Sequence, residues 1–140
     1  MNARPLDFGK GFYLTENCEQ AKSWAIKKAD RFGNQPIITK YEIYLNNLRL
    51  KEFKYTDEEW LNFVCGCRKD INICLEKEYD IIIGAVADDT IFRLVTFYEE
   101  GTYDLEYTLK QLKINPTYNQ LCVCSNEGIA RLKYIDSESV

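Results

Sequence analysis

The chain has 140 residues, 46% of them hydrophobic and 29% charged; this is enough for one globular domain with its own core and excludes a disordered chain. A net charge of -4 argues against broad nucleic-acid binding, which needs clustered positive charge. The lack of any histidine removes the commonest metal ligand and acid–base side chain.

In chain order, Gly11 to Leu14 reads as a short strand, and Thr15 or Asn17 can cap the helix that follows. Ala21, Trp24, Ala25, Ala29 and Phe32 recur at helical spacing and make one apolar face, which Gly33-Asn34 ends. Pro36 leads into a strand through IITKYEIYL, Asn46-Asn47 forms a turn, and Leu48 to Phe53 is a second strand. Thr56-Asp57-Glu58-Glu59 reads as a capping box, opening a helix with Trp60, Phe63, Val64 and Cys67 inward. YDIIIGAVAD is a continuous apolar run, as in a strand covered on both faces.

Asp88 or Asp89 then caps a helix carrying Ile91, Leu94, Val95 and Tyr98, and Asp104 caps another with Leu105, Leu109 and Leu112. After Pro116, QLCVC is expected to be the last strand, and Asn126 to cap a short helix with Ile129, Leu132 and Tyr134-Ile135 behind it. Strands and helices alternate irregularly, without repeat or linker. The expected fold is therefore a single α+β domain over 1–140 with a mixed or antiparallel sheet. No apolar run is long enough to span a membrane, and the first residues lack the apolar stretch of a secretion signal, so the cytoplasm is the expected compartment.

The six cysteines do not form a disulfide pattern. Cys122 and Cys124 alternate on an apolar strand and are expected to pack on one side in the core. Cys65-Gly66-Cys67 with Cys74 lacks the C-x-x-C spacing of zinc sites, and no metal is expected.

One stretch, LDFGKGFYLTENCEQAKSWA, asks for more than a turn into a helix. Its glycines can bring bare backbone close to a ligand, and Tyr13 and Trp24 can sandwich a flat ring. Spacing alone favours the plainer reading, a strand end flanked by glycines with Tyr13 and Trp24 in the core. Gly-x-Gly here lacks the third glycine and the preceding strand of a dinucleotide fingerprint.

The residues also resemble a family. FGKGFYLTENCEQAKSWA is similar to a signature of the diphtheria-toxin and poly-ADP-ribose-polymerase branch of ADP-ribosyltransferases. There Phe-Gly-Lys-Gly-aliphatic-Tyr precedes a helix with a small residue followed three positions later by an aromatic. TYNQLCVCSNEGIARLKYI resembles the last signature of that branch, in which Tyr-Asn-Glu opens a strand followed by a short helix. DFGKGFY, YDIIIG-x-VADD and NQ-x-C also resemble hallmarks of a group of small bacterial domains of unknown function related to these transferases, and the likeness covers nearly the whole chain.

The resemblance implies a split sheet of the ADP-ribosyltransferase type with NAD as the consumed substrate. It implies that Tyr13 stacks on nicotinamide, with Trp24 as the second stacking aromatic and Ala21 where a serine often binds the carboxamide. Gly9, Lys10 and Gly11 would shape the pocket, and Gln120, in the glutamate's place, would accept a ribose hydroxyl. Glutamine supplies no full charge, which argues against making long polymers.

The family's catalytic histidine lies on a strand upstream of FGKG. The resemblance therefore implies a fold lacking that first strand and one wall of the pocket. Two functions follow from it. One is mono-ADP-ribosyl transfer to an unknown acceptor, impaired unless the first strand is supplied. The other is a catalytically inactive remnant acting as a binding module, such as a toxin–antitoxin component with a small protein partner. Accidental likeness in an unrelated α+β domain is the third alternative. Lys10 or Arg4 can contact a phosphate, and Glu127 more plainly faces solvent.

Overall fold

A computed structural model describes residues 7–70, 75 and 77–140; Arg4 and Cys74 lie outside them. Among the described residues, six strands and five helices follow in the order β1 (Phe12–Thr15), α1 (Cys18–Phe32), β2 (Ile37–Ile43), β3 (Leu50–Glu52), α2 (Glu58–Lys69), β4 (Ile81–Ala85), α3 (Asp89–Glu99), α4 (Leu105–Ile114), β5 (Asn119–Val123), α5 (Asn126–Ala130) and β6 (Leu132–Ser139). The class is α+β. A four-stranded sheet has the order β1-β5-β4-β3, and β2 pairs β6 in a separate two-stranded sheet. In the larger sheet β3 runs parallel to β4, while β4–β5 and β5–β1 are antiparallel.

The helix starts follow from short polar side chains that accept the otherwise unpaired first-turn N–H groups. Asn17 caps α1 through Gln20 N at 2.8 Å, Asp88 caps α3 through Ile91 N at 2.9 Å, and Asp104 caps α4 through Tyr107 N at 2.7 Å. Two caps sit one residue away from the expected positions. Asp57, not Thr56, accepts from Trp60 N, and Ser125, not Asn126, accepts from Gly128 N. In each case the neighbour whose backbone is extended just before the first turn takes the role.

β4 is covered on both faces, as its unbroken apolar run requires. On the face bearing Ile82 and Cys122, the core is closed by Phe8, Phe53 and the inner sides of α2 and α3, with Trp60, Leu61, Val64, Ile91 and Val95 buried. Each such side chain stabilises the fold by about 1.5–3 kcal/mol through removal from water. The opposite face is covered in part by α5. Gly128 allows this contact, because a Cβ there would stand 2.7 Å from Val123 Cγ1 and 3.1 Å from the Asp80 carbonyl oxygen.

Two expectations are corrected. QLCVC is not the last strand: Leu132–Ser139 forms β6, antiparallel to β2 with a register irregularity at Lys40/Tyr41. Nearly all of β6 is exposed, so it has no apolar alternation to announce it; backbone pairing with β2 makes it a strand. The apolar stripe of α1 is not a core face either. Ala29 is buried, but Trp24 and Phe32 are exposed. The helix presents the buried Gln20 inward at its first turn instead, where the Thr15 hydroxyl donates to Gln20 Oε1 at 2.8 Å.

Candidate functional site

The loop before β1 is built around Tyr13. Its hydroxyl donates to the Gly9 carbonyl at 2.5 Å and accepts from the Phe8 N–H at 3.1 Å. Burial, and then the neighbouring Cys122 thiol, push the phenol above its ordinary pKa, so it stays a protonated donor. Gly9 has φ 79°, the left-handed region open to glycine, and this turns its carbonyl back onto the phenol. Gly11 is required for a different reason: a Cβ there would overlap Cys122 Sγ and lie 2.8 Å from the Val123 carbonyl oxygen. Gly9 thus has a conformational role and Gly11 a packing role, whatever else the loop does.

β1 and β5 bring the two ends of the sequence together. Tyr13 pairs with Cys122 and Thr15 with Gln120. Partners across an antiparallel ladder share a face, and residues two apart on one strand share it too. Tyr13, Thr15, Gln120 and Cys122 therefore project from the same side of the sheet. Gln120 is 5% exposed, and its Nε2 donates to Asp7 Oδ2 at 3.1 Å. The same carboxylate oxygen accepts from the Ala87 N–H at 3.0 Å. Asp7 opens the DFGKGFY stretch, but its partner lies 113 residues away, and no local spacing announces such a contact.

The remaining expected site residues are distributed around this face. Gln20, over Thr15, and Trp24 are one helical turn apart and so lie on one side of α1; Trp24 is 39% exposed and Ala21 half-buried. Lys10 and Gly11 line a shallow hollow of about 320 Å³ with Phe12, Cys124, Ser125 and Ile129. A larger hollow, about 930 Å³, opens elsewhere, between the segment after β3 and α4, with Phe53, Leu109 and Leu112 at its floor and Lys54, Lys110 and Lys113 among its polar lining. Tyr13 and Gln120 line neither of them. Volume alone therefore points away from the residues whose chemistry was expected, while the strand register fixes only which of their side chains share a face.

A second polar cluster is structural. The buried Asp80 carboxylate accepts from the Arg49 N–H at 2.7 Å, Arg49 Nη2 at 3.0 Å and the Ser125 hydroxyl at 2.6 Å. These bonds, Arg49's first, hold its pKa well below the usual carboxylate range. Because Ser125 also caps α5, the cluster locks β3, β4 and α5 to one another. Cys122 and Cys124 are both buried, with their sulfurs 3.7 Å apart. Among the described residues, no group of three or more histidine, cysteine or acidic side chains is placed to hold a metal. Nor is any described helix long and apolar enough to cross a membrane.

The fold is an α+β domain in which β1 and β5 place Tyr13, Thr15, Gln120 and Cys122 on one largely buried face of the larger sheet. The chain belongs to the family described as "Protein of unknown function (DUF3990)", whose model matches residues 1–134. No curated protein and no solved structure matches it.

Proposed function

We propose that this is an NAD-binding domain of the ADP-ribosyltransferase type, transferring one ADP-ribose unit to an acceptor. The observation that carries the reading is the β1–β5 register: Tyr13 and Gln120, matched independently to the second and last of the resembling signatures, share one face of adjacent strands. A split arrangement of one four-stranded and one two-stranded sheet is consistent with it.

Breaking the bond between nicotinamide and ribose builds positive charge on the ribose, as in glycoside cleavage. The site must hold the ring, orient the ribose and stabilise that charge. In this reading the half-buried Tyr13 ring stacks on nicotinamide and Trp24 approaches from α1. The backbone of Gly9, Lys10 and Gly11 shapes the entry beside Ala21, and Gln120 Oε1 accepts a ribose hydroxyl. The acceptor is a separate molecule, and the setting is the cytoplasm.

The test is NAD binding by calorimetry together with nicotinamide release, for the wild type, Tyr13→Ala and Gln120→Ala. Binding lost in Tyr13→Ala and release lost in Gln120→Ala support the reading; identical behaviour of all three ends it.

The second reading is a catalytically inactive module of the same fold. It is favoured by the position of β1 at the edge of its sheet among the described residues, where a partner strand can add. Under this reading the wild type binds no NAD, and a small protein partner pairs with β1.

A further inference from the structure

We infer that Asp7 is the positioning residue for Gln120 and carries the negative charge that glutamine lacks, so that the two side chains together do the work of one glutamate. The inference rests on the NAD reading above and goes beyond it, since neither the resembling signatures nor the sequence pattern assigns Asp7 a role.

Its basis is hydrogen-bond chemistry. An ionised carboxylate only accepts. Asp7 Oδ2 takes one bond from the Ala87 N–H at 3.0 Å and one from Gln120 Nε2 at 3.1 Å. The amide end of Gln120 is thereby turned toward Asp7, and Oε1 is left as the acceptor for a ligand hydroxyl. Gln120 is 5% exposed, so this bond forms where water screens it little and its orientation is held firmly. Asp7 is itself tied to the segment just past β4 through the Ala87 N–H, which holds its carboxylate in place. A carboxylate bonded to the far side of the amide polarises it, raises the acceptor strength of Oε1 and places negative charge on the ribose side of the pair.

The reaction with water as acceptor balances simply. The ribose C1′–nitrogen bond breaks, nicotinamide leaves with the electron pair, a water oxygen bonds to C1′, and its proton passes to solvent. Asp7 and Gln120 take no proton and form no bond in this step. They act on the charge that develops on the ribose between the two events.

The test uses the full chain with NAD, measuring binding, nicotinamide release, KM and kcat. Asp7→Asn is the informative single variant. The Ala87 N–H and Gln120 Nε2 meet the same carboxylate oxygen, so the asparagine oxygen can accept from both while the charge goes. The expected result is a fall in kcat of about a hundredfold, the size of one well-placed electrostatic group, with KM within about threefold and the melting temperature little changed. Gln120→Glu alone sets two carboxylates against each other and is expected to lower activity at neutral pH, with partial recovery in acid as one of them takes a proton. The double variant Asp7→Asn/Gln120→Glu moves the charge across the pair; the introduced amide donates to the introduced carboxylate only by giving up the Ala87 N–H, and the variant is expected to recover part of the lost kcat, above either single variant.

Asp7→Asn with unchanged kcat overturns the inference while leaving NAD transfer intact. So does a double variant no better than either single one, the result expected if Asp7 only braces the loop through Ala87. Binding of NAD without release in any variant also overturns it. A wild type that binds no NAD removes the underlying reading and this inference with it.

Discussion

Replacing Gly11 by alanine tests the account of the FGKG loop through the ladder it packs on. The backbone of Gly11 is not in the left-handed region, so alanine meets no torsional penalty and even restricts the unfolded chain, a gain of about 0.5 kcal/mol. The cost comes from contact. The new Cβ overlaps Cys122 Sγ and stands 2.8 Å from the Val123 carbonyl oxygen. The sulfur sits in a closed core, Cys122 being 0% exposed, and the carbonyl belongs to a central strand, so neither moves freely. Overpacking of this kind costs about 1–3 kcal/mol. With two contacts the upper part of that range applies, for a net loss of about 2 kcal/mol. An unfolding entropy of about 2.1 cal/mol/K per residue over the chain gives about 0.3 kcal/mol/K, hence a drop in Tm of about 7 °C. Urea and thermal unfolding of Gly11→Ala, Cys122→Ala and the double variant measure it. Cys122→Ala removes the closer clash, so the double variant is expected to lose less than the sum of the singles by more than about 0.5 kcal/mol. A Gly11→Ala protein as stable as the wild type, or strictly additive losses, refutes the packing explanation of this glycine.

Tyr13→Phe keeps the ring and removes the ties to Gly9 and Phe8; a loss of about 1–2 kcal/mol in urea unfolding is expected, with NAD binding weakened less than by Tyr13→Ala. The Asp80 carboxylate has a pKa lowered in the folded state, chiefly by Arg49 and Ser125. Its contribution is therefore complete above the unfolded value of about 4 and is lost progressively as pH falls below it toward the folded value. Asp80→Asn is expected to destabilise by about 2–4 kcal/mol near neutrality, by leaving charged and hydroxyl partners unmatched, with the gap to the wild type narrowing in acid in unfolding curves taken from about pH 6 down to about pH 2. Burial, the leading cause in both, raises the Cys65 thiol to about 11 and Cys67 to about 12. In native protein at about pH 8, below both values, mass mapping after iodoacetamide should find Cys18, which is exposed, labelled well before either.

Much of the secondary structure was legible because it rests on local rules. The alternation-free run IIIGA could only be a doubly covered strand, and Asp88 and Asp104 announced helix starts by their position before periodic apolar runs. β6 was not legible, since LKYIDSES is mostly polar and exposed and becomes a strand only through its pairing with Ile37–Ile43. The stripe on α1 misled for the converse reason. Trp24 and Phe32 have helical spacing, but the helix is held to β1 by the polar Thr15–Gln20 bond, and those rings remain exposed. At the site, Tyr13 and Gln120 were found by resemblance to signatures, not by spacing. Asp7 and the Asp80–Arg49 pair depend on contacts between distant segments that only the folded ladder creates.

The central claim is that NAD meets the face shared by β1 and β5, and titrating NAD into isotope-labelled protein while following backbone amide resonances tests it most directly. The account predicts shifts concentrated at Gly9, Tyr13, Thr15, Gln120 and Ala87. An unchanged spectrum at millimolar NAD, or shifts confined to the hollow bounded by Phe53, Leu109 and Lys113, contradicts it.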